Sequence, residues 1–279
     1  MRTAGLTRKV KQVVLVALMN QPCSIPRTVP ATKPLLLSRP PSYAPPSAVT
    51  FTTMNKNEEK DHLDGVFKQK RALRTRVRKA LKAMDSELRS HEDNAIQSNV
   101  LESPWFQSSR RLCAYISCSA LREVDTSKLL SEILQNPATG DNTQSGKRLY
   151  VPRVEDKNSH MRMLNISCID DLVANSMNIL EPAPVDSFGN EREDGLAFDK
   201  SGRRIGRGGG YYDTFLKKYQ ELAKARDWTQ PLLVALSYSL QIMDEEVIAV
   251  TPNDVSLDAL VSPAGVIPIS QAALERMKL

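Results

Sequence analysis

The sequence predicts an α/β fold in which one open, mixed but mostly parallel sheet is covered by helices on both faces. Apolar runs of strand length, such as 111–117 and 232–238, alternate along the chain with amphipathic stretches of helical period. Turn-rich text, most clearly "NPATGDNTQSG" at 136–146, separates them, and no internal repeat interrupts the order. Strands that alternate with helices in this way imply a three-layer, Rossmann-like arrangement. It is expected as one domain over residues 58–279, behind a leader at 1–57.

The elements follow in order. Residues 61–84 put Val66, Leu73, Val77, Leu81 and Met84 on one face, which predicts a helix. A second helix follows with Ser86 as its N-cap and ends near Leu101, before Pro104. "RLCAYIS" (111–117) reads as the first strand, and "EVDTSKLLSEILQN" as a helix capped by Thr126 or Asp125. "RLYVPRV" and "MRMLNIS" are the next two strands, closed by a short helical "IDDLVAN". "YYDTFLKKYQELAKA" is helical, "LLVALSY" is a buried strand, and "DALVSP" is a last short one.

Charge separates the leader from the body. The chain carries a net charge of +6, but residues 1–57 hold eight basic side chains and no Asp or Glu. Removing those eight from the 38 leaves 30 basic against 32 acidic residues, so the body is slightly acidic. Nucleic-acid binding through "KQKRALRTRVRKALK" is therefore disfavoured, because the rest of the body compensates that charge and aromatic residues are few. The one strongly apolar run of the leader, "VVLVALM" at 13–19, is too short to cross a bilayer, so no membrane association is expected. A basic, acid-free leader rich in Ser, Thr and Pro reads as an organellar transit peptide, with the mitochondrion favoured and the plastid as the alternative. A secretory signal and a disordered tail are the other readings.

Four cysteines without a CxxC pair suggest reduced thiols. Three scattered histidines leave little for a His-based metal site or a Ser-His-Asp triad. The segment "GLAFDKSGRRIGRGGGYYDTFL" (195–216) is different: five of its six glycines fall within nine residues, beside Arg203, Arg204 and Arg207. Gly206, Gly208, Gly209 and Gly210 precede a helix that starts near Tyr211. Amides without a Cβ above them can approach phosphate oxygens there, and the helix dipole favours the anion. The spacing is neither GxGxxG nor GxxxxGK[ST], and a flexible surface turn is the competing reading.

The same segment closely resembles the signature of the 5-formyltetrahydrofolate cyclo-ligases (5,10-methenyltetrahydrofolate synthetases). A Gly-x-x-Phe-Asp turn, here Gly195 to Asp199, is followed by Arg-Ile-Gly-Arg-Gly-x-Gly-Tyr-Tyr-Asp, here Arg204 to Asp213. Four further segments resemble the family in the same order, from about residue 70 to 260. Lys70 and Arg74 match a basic pair that reaches ATP, and "ALREVDTSKLL" implies Glu123 as a folate contact. "YVPRVEDKNSHMRMLNI" implies Arg153, His160 and Met161 near the substrate. "VTPNDVSLDALVSP" implies Asp254 as a magnesium partner of Asp213, with Asp258 nearby. Read without the family, these residues are a solvated basic face, a loop acid, a turn arginine, core methionines and a dipole-favoured Asp.

The resemblance implies ATP-dependent conversion of 5-formyltetrahydrofolate to 5,10-methenyltetrahydrofolate, with release of ADP and phosphate; small molecules are the expected partners, and a monomer is the default expectation. Mg²⁺ is the implied cofactor and ATP the co-substrate. Arg207 and Tyr212 are implied as catalytic residues. Lys70, Arg74, Arg204, Gly206, Arg207, Gly208, Gly209, Gly210, Tyr211, Tyr212 and Asp213 are implied to bind ATP.

Two departures stand out. Family members carry an apolar strand that ends in Pro-Gly before the Gly-x-x-Phe-Asp turn, whereas here "EPAPVDSFGNERED" runs into Gly195 and is not strand text. Loss of a central strand would strip its neighbours of ladder partners, and it motivates an alternative reading as a catalytically impaired member that at most binds folate or nucleotide. Met177 stands where some relatives place a Trp expected to stack on the pterin.

Overall fold

The structure, a computed structural model, describes residues 15–18, 56–135, 146–156, 160–175, 179–185, 210–244 and 247–277; for 15–18 and 56–59 it describes the backbone. The strands are β1 (Leu15–Leu18), β2 (Arg111–Cys113), β3 (Arg148–Val154), β4 (Met161–Ile166), β5 (Leu172–Ala174), β6 (Leu180–Pro182), β7 (Leu232–Leu236), β8 (Ala259–Ser262) and β9 (Gly265–Pro268). The helices are α1 (Lys56–Ala83), α2 (Ser86–Leu101), α3 (Pro104–Ser108), α4 (Ser127–Gln135), α5 (Tyr211–Ala225) and α6 (Gln271–Arg276).

Seven strands form one sheet in the order β4-β3-β2-β1-β7-β8-β9, and β5 pairs with β6 in a separate hairpin. The period-2 alternation of a strand assigns side chains to opposite faces. On one face Leu112, Leu149, Val151, Leu232, Val234, Leu236 and Val261 pack with Leu81 of α1, Ile96 and Val100 of α2, Phe106 of α3 and Leu129 and Ile133 of α4. On the other, Cys113, Tyr150, Met163, Leu233 and Ala235 pack with Tyr212, Phe215, Leu216 and Tyr219 of α5. This is the three-layer α/β architecture that the alternation of elements predicts.

The sheet is more antiparallel than expected. β2 runs parallel to β3 and β7 to β8, but β3–β4 and β8–β9 are antiparallel, as are both ladders of β1. The connections explain the outer pairs: β8 and β9 are separated by Pro263 and Ala264 alone, and a parallel return needs a crossover of a dozen or more residues.

Several local expectations shift. The cap of α2 is Asp85 rather than Ser86, because its Oδ1 accepts the amides of Glu87 at 2.8 Å and Leu88 at 3.1 Å. At α4 the hydroxyl of Thr126 is diverted to Tyr115 O at 3.0 Å, and Asp125 takes the amide of Ser127. The same diversion shortens the 111–117 strand: Ala114 still donates to Tyr150 O, but Tyr115 O is spent on Thr126. "IDDLVAN" becomes one 3₁₀ turn followed by β5. The short elements α3, β6, β9 and α6 carry too few residues to show a period. The largest difference lies in the leader, whose apolar run supplies β1, so β2 and β7 do have a partner between them.

Asp258, expected near the site, instead serves the frame. Its carboxylate is 1% exposed; Oδ2 accepts the amide of Leu233 at 2.8 Å, and Oδ1 accepts the hydroxyl of Ser270, which caps α6. One buried acid thus fixes the start of β7 and the cap of α6. Asp258→Ala leaves both donors unsatisfied and should lower unfolding stability by about 3 kcal/mol. Asp258→Asn, which keeps an acceptor, should lose less; equal midpoints for both variants and the parent in urea unfolding would refute this role.

Candidate functional site

Two groups of polar residues meet at the first turn of α5. The first is ionic. Lys70 and Arg74 lie on the continuous helix α1, and their i, i+4 spacing puts them on one face. Lys70 is only 4% exposed, and its Nζ donates to Oδ2 of Asp254. The same Oδ2 accepts the amide of Thr251 at 2.6 Å and its hydroxyl at 2.8 Å. Burial alone would raise the pKa of Asp254, but Lys70 and the two Thr251 donors outweigh it and hold the carboxyl below its ordinary value. The pKa of Arg74 is lowered, by burial first and then by the neighbouring Arg78, while Asp254 and Asp213 pull the other way. Both carboxylates are therefore within electrostatic reach of Arg74.

Asp213 closes this group from the opposite side. It sits in the first turn of α5, where the helix dipole favours a carboxylate, and its Oδ1 accepts the amide of Val255 at 3.1 Å. One short loop, 251–255, thus carries Asp254 and is tied to Asp213. Gly210 precedes the helix with φ 69°, a left-handed conformation that a Cβ would strain. Tyr211 donates its hydroxyl to Asp156 O at 3.2 Å and so links the helix to the β3–β4 turn.

The second group surrounds a shallow cleft, partly open to solvent. It is lined by Tyr115, Ile116, Leu121, Glu123, Pro152, Ile179, Leu180, Glu181 and Tyr212. Ligand sites in open α/β sheets lie outside the carboxyl ends of parallel strands, and this one lies just beyond β2 and beside β3. Glu123 is 8% exposed, and its Oε2 accepts the amide of Cys118 at 3.0 Å. Tyr212, buried beneath α5, contributes to the cleft while its neighbour Asp213 faces the 251–255 loop. The first turn of α5 is the hinge between the two groups.

Arg153 donates from Nη1 to Pro182 O at 2.8 Å and thereby anchors β6, whose Leu180 and Glu181 line the cleft. Its buried Nε makes no hydrogen bond. His160 is exposed at the β3–β4 turn, paired through Nδ1 with Asp156 Oδ2 at 2.7 Å. Met161 belongs to the core beneath α5 and is not among the residues that line the cleft. Arg204, Gly206, Arg207, Gly208, Gly209 and Met177 lie outside the described residues. Among the described residues no cluster of three or more His, Cys, Asp or Glu side chains is arranged to hold a metal. Asp213 and Asp254 are two, and a cation between them would need further oxygens from elsewhere.

The support of Glu123 is absent from the sequence reading. The hydroxyl of Tyr238 lies 2.7 Å from Asp93 Oδ1 and 3.1 Å from Glu123 O, and it accepts from Arg89 Nε at 3.2 Å. Asp93 Oδ1 also accepts the amide of Asp125 at 2.8 Å, and Tyr115 donates to Val124 O at 2.7 Å. Burial keeps both phenols protonated by pushing their pKa values up. Arg122, in the left-handed conformation at φ 53°, reverses the chain just before Glu123. Apart from Tyr115 and Val124, these partners are separated by 32 to 149 residues, and no local pattern announces them.

Comparison with known proteins converges on one family. A family profile described as the 5-formyltetrahydrofolate cyclo-ligase family matches residues 66–263. The chain is 58% identical to a "5-formyltetrahydrofolate cyclo-ligase, mitochondrial" of Arabidopsis thaliana, over 90% of this chain and 89% of that one. It is 28% identical to a 5-formyltetrahydrofolate cyclo-ligase of Mus musculus, over 70% of this chain and 95% of that one. In structure it resembles a 5,10-methenyltetrahydrofolate synthetase of Aquifex aeolicus with a TM-score of 0.51 at 24% identity, covering 71% of this chain and 92% of the other.

The ionic pair has a pH signature. Because the Asp254 carboxyl is held below its ordinary value, the pair adds stability above that ordinary value and loses it as the pH falls through the lowered one. Lys70→Met should therefore cost about 3 kcal/mol near neutrality, and the difference from the parent should shrink below about pH 4. A difference that stays constant across that range in urea unfolding would mean that Lys70 contributes through packing rather than charge.

Proposed function

The chain belongs to the 5-formyltetrahydrofolate cyclo-ligase family, a family of ligases, and from that premise we propose that it couples ATP hydrolysis to cyclisation of 5-formyltetrahydrofolate to 5,10-methenyltetrahydrofolate. The observation that carries this reading is the junction at α5. A buried lysine, an arginine and two carboxylates lie on one side of a single helical turn, and a cleft with Glu123 and Glu181 in its lining lies on the other.

The chemistry asks the protein mainly for position and charge. A formamide oxygen is a poor leaving group until it is phosphorylated. The γ-phosphoryl group therefore passes to that oxygen as the bond to ADP breaks. N10 then attacks the activated carbon, gives up its proton, and phosphate departs with the former formyl oxygen. Lys70 and Arg74 would stabilise the polyphosphate charge, with Arg204, Arg207 and the amides of Gly206, Gly208, Gly209 and Gly210 completing the grip. Asp213 and Asp254 would hold Mg²⁺, which when bound would neutralise phosphate charge; two carboxylates plus phosphate and water oxygens suit that hard ion. Glu123 and Tyr212 would face the folate, and Arg153 would hold the cleft wall through β6. No nucleophilic side chain is needed.

We assign a mitochondrial setting on the acid-free leader and on the mitochondrial relative of Arabidopsis thaliana, with the plastid as the alternative. A reporter carrying residues 1–57 should enter mitochondria; retention in the cytosol would rule this out.

The catalytic test uses the full chain and follows methenyltetrahydrofolate formation by absorbance. Turnover should require ATP and Mg²⁺. Arg74→Ala should raise the KM for ATP about tenfold, and Asp213→Asn should lower kcat/KM about a hundredfold. Folded protein without ATP-dependent turnover defeats the proposal. A second reading, binding without catalysis, is favoured by one observation: the place beside β2 and β7 is filled by β1 and not by a strand that leads into the Gly195 turn. Folate binding without turnover would select it.

A further inference from the structure

The sheet holds together through a strand that the sequence assigns to the leader. Leu15–Leu18 pairs on one side with β2, with Val16 opposite Cys113, Ala17 opposite Leu112 and Leu18 opposite Arg111. On the other side it pairs with β7, with Leu15 opposite Val234, Val16 opposite Leu233 and Ala17 opposite Leu232. Both ladders are antiparallel, although β2 and β7 each run parallel to their outer neighbours. Among the described residues, β1 is the one link between β4-β3-β2 and β7-β8-β9 in the strand order.

The slot it fills is a demanding one. Leu112, Cys113, Leu232, Leu233 and Val234 are buried with β1 in place, so water cannot serve their ladder groups there. Between β6 and Gly195, residues 183–194 read as no apolar strand, while the leader offers one compact apolar run. The intervening residues 19–55 can span about 120 Å when extended, so reach does not limit the pairing.

We propose that Leu15–Leu18 is a structural strand of the folded protein, docked in the β2–β7 slot that the sequence ahead of Gly195 is not composed to fill. The leader then does more than carry an address, and its proteolytic removal opens the centre of the sheet. The occupant is this chain's own segment, held by strand addition of the kind in which main-chain hydrogen bonds supply the affinity.

The test uses the full chain and needs no turnover, so its failure is distinct from failure of the catalytic proposal. Residues opposed in an antiparallel ladder lie close enough for a disulfide. Under mild oxidation, Val16→Cys should form an intrachain disulfide with the native Cys113 at least about tenfold faster than Ala17→Cys, whose partner in β2 is Leu112. Equal rates, no link to Cys113 on peptide mapping, or a link between two chains would overturn the proposal. Independently, Ala17→Pro removes a ladder donor, and hydrogen exchange at the amides of β2 and β7 should accelerate by about tenfold or more. Exchange unchanged from the parent would also overturn it.

Discussion

Among the described residues, the seven-stranded sheet is continuous only through β1. A central strand buried on both faces is normally the most secure part of an α/β fold, because each of its neighbours depends on it for half of their backbone hydrogen bonds. Here that position is held by four residues far from the body in sequence, with three register pairs on each side. The placement of Glu123 rests on this arrangement. β2 leads into the loop that carries Glu123, and β7 leads to Tyr238, whose hydroxyl lies against that same loop. If β2 and β7 separate, the two anchors of Glu123 separate with them.

The site in turn depends on one helical turn. α5 covers the sheet face formed by Cys113, Tyr150, Met163 and Leu233, and its buried Tyr212, Phe215 and Leu216 fix its rotation. Fixing rotation sends Tyr212 to the cleft, Asp213 to the 251–255 loop and Tyr211 to the β3–β4 turn. Three consecutive residues therefore couple three separate segments, as a helix with 3.6 residues per turn allows and a strand does not.

Much of this was legible from sequence where the signal is local. The helix over 211–225 and the strand over 148–154 match the reading to the residue, because each has a complete period and a clear boundary. Lys70 and Arg74 share a face by spacing alone. The departure before Gly195 was read from Pro and charge where strand text was due; residues 186–209 lie outside the described ones, and the place between β2 and β7 holds β1. That occupant was not legible, since "VVLVALM" reads equally as targeting sequence and as a strand. Only non-local pairing distinguishes the two. The network of Arg89, Asp93 and Tyr238 was illegible for the same reason: each residue taken singly is an unremarkable surface-type or core-type side chain. Asp258 shows the converse case, in which a motif-like spacing drew it toward the site while its burial and its bonds to Leu233 and Ser270 tie it to the frame.

The Lys70–Asp254 pair links stability to the proposed chemistry. An ammonium that is 4% exposed needs a counter-charge, since leaving one buried partner alone costs several kcal/mol. Asp254 meets that need and is itself fixed by Thr251 through the same oxygen. If Asp254 also holds magnesium, it cannot serve Lys70 and the cation equally through Oδ2. A polyphosphate resolves the conflict, because its oxygens can take over the lysine charge as the cation takes over the carboxylate. Nucleotide and metal would then arrive most favourably together, each relieving the charge that the other displaces, and the unliganded site would stay neutralised in the meantime.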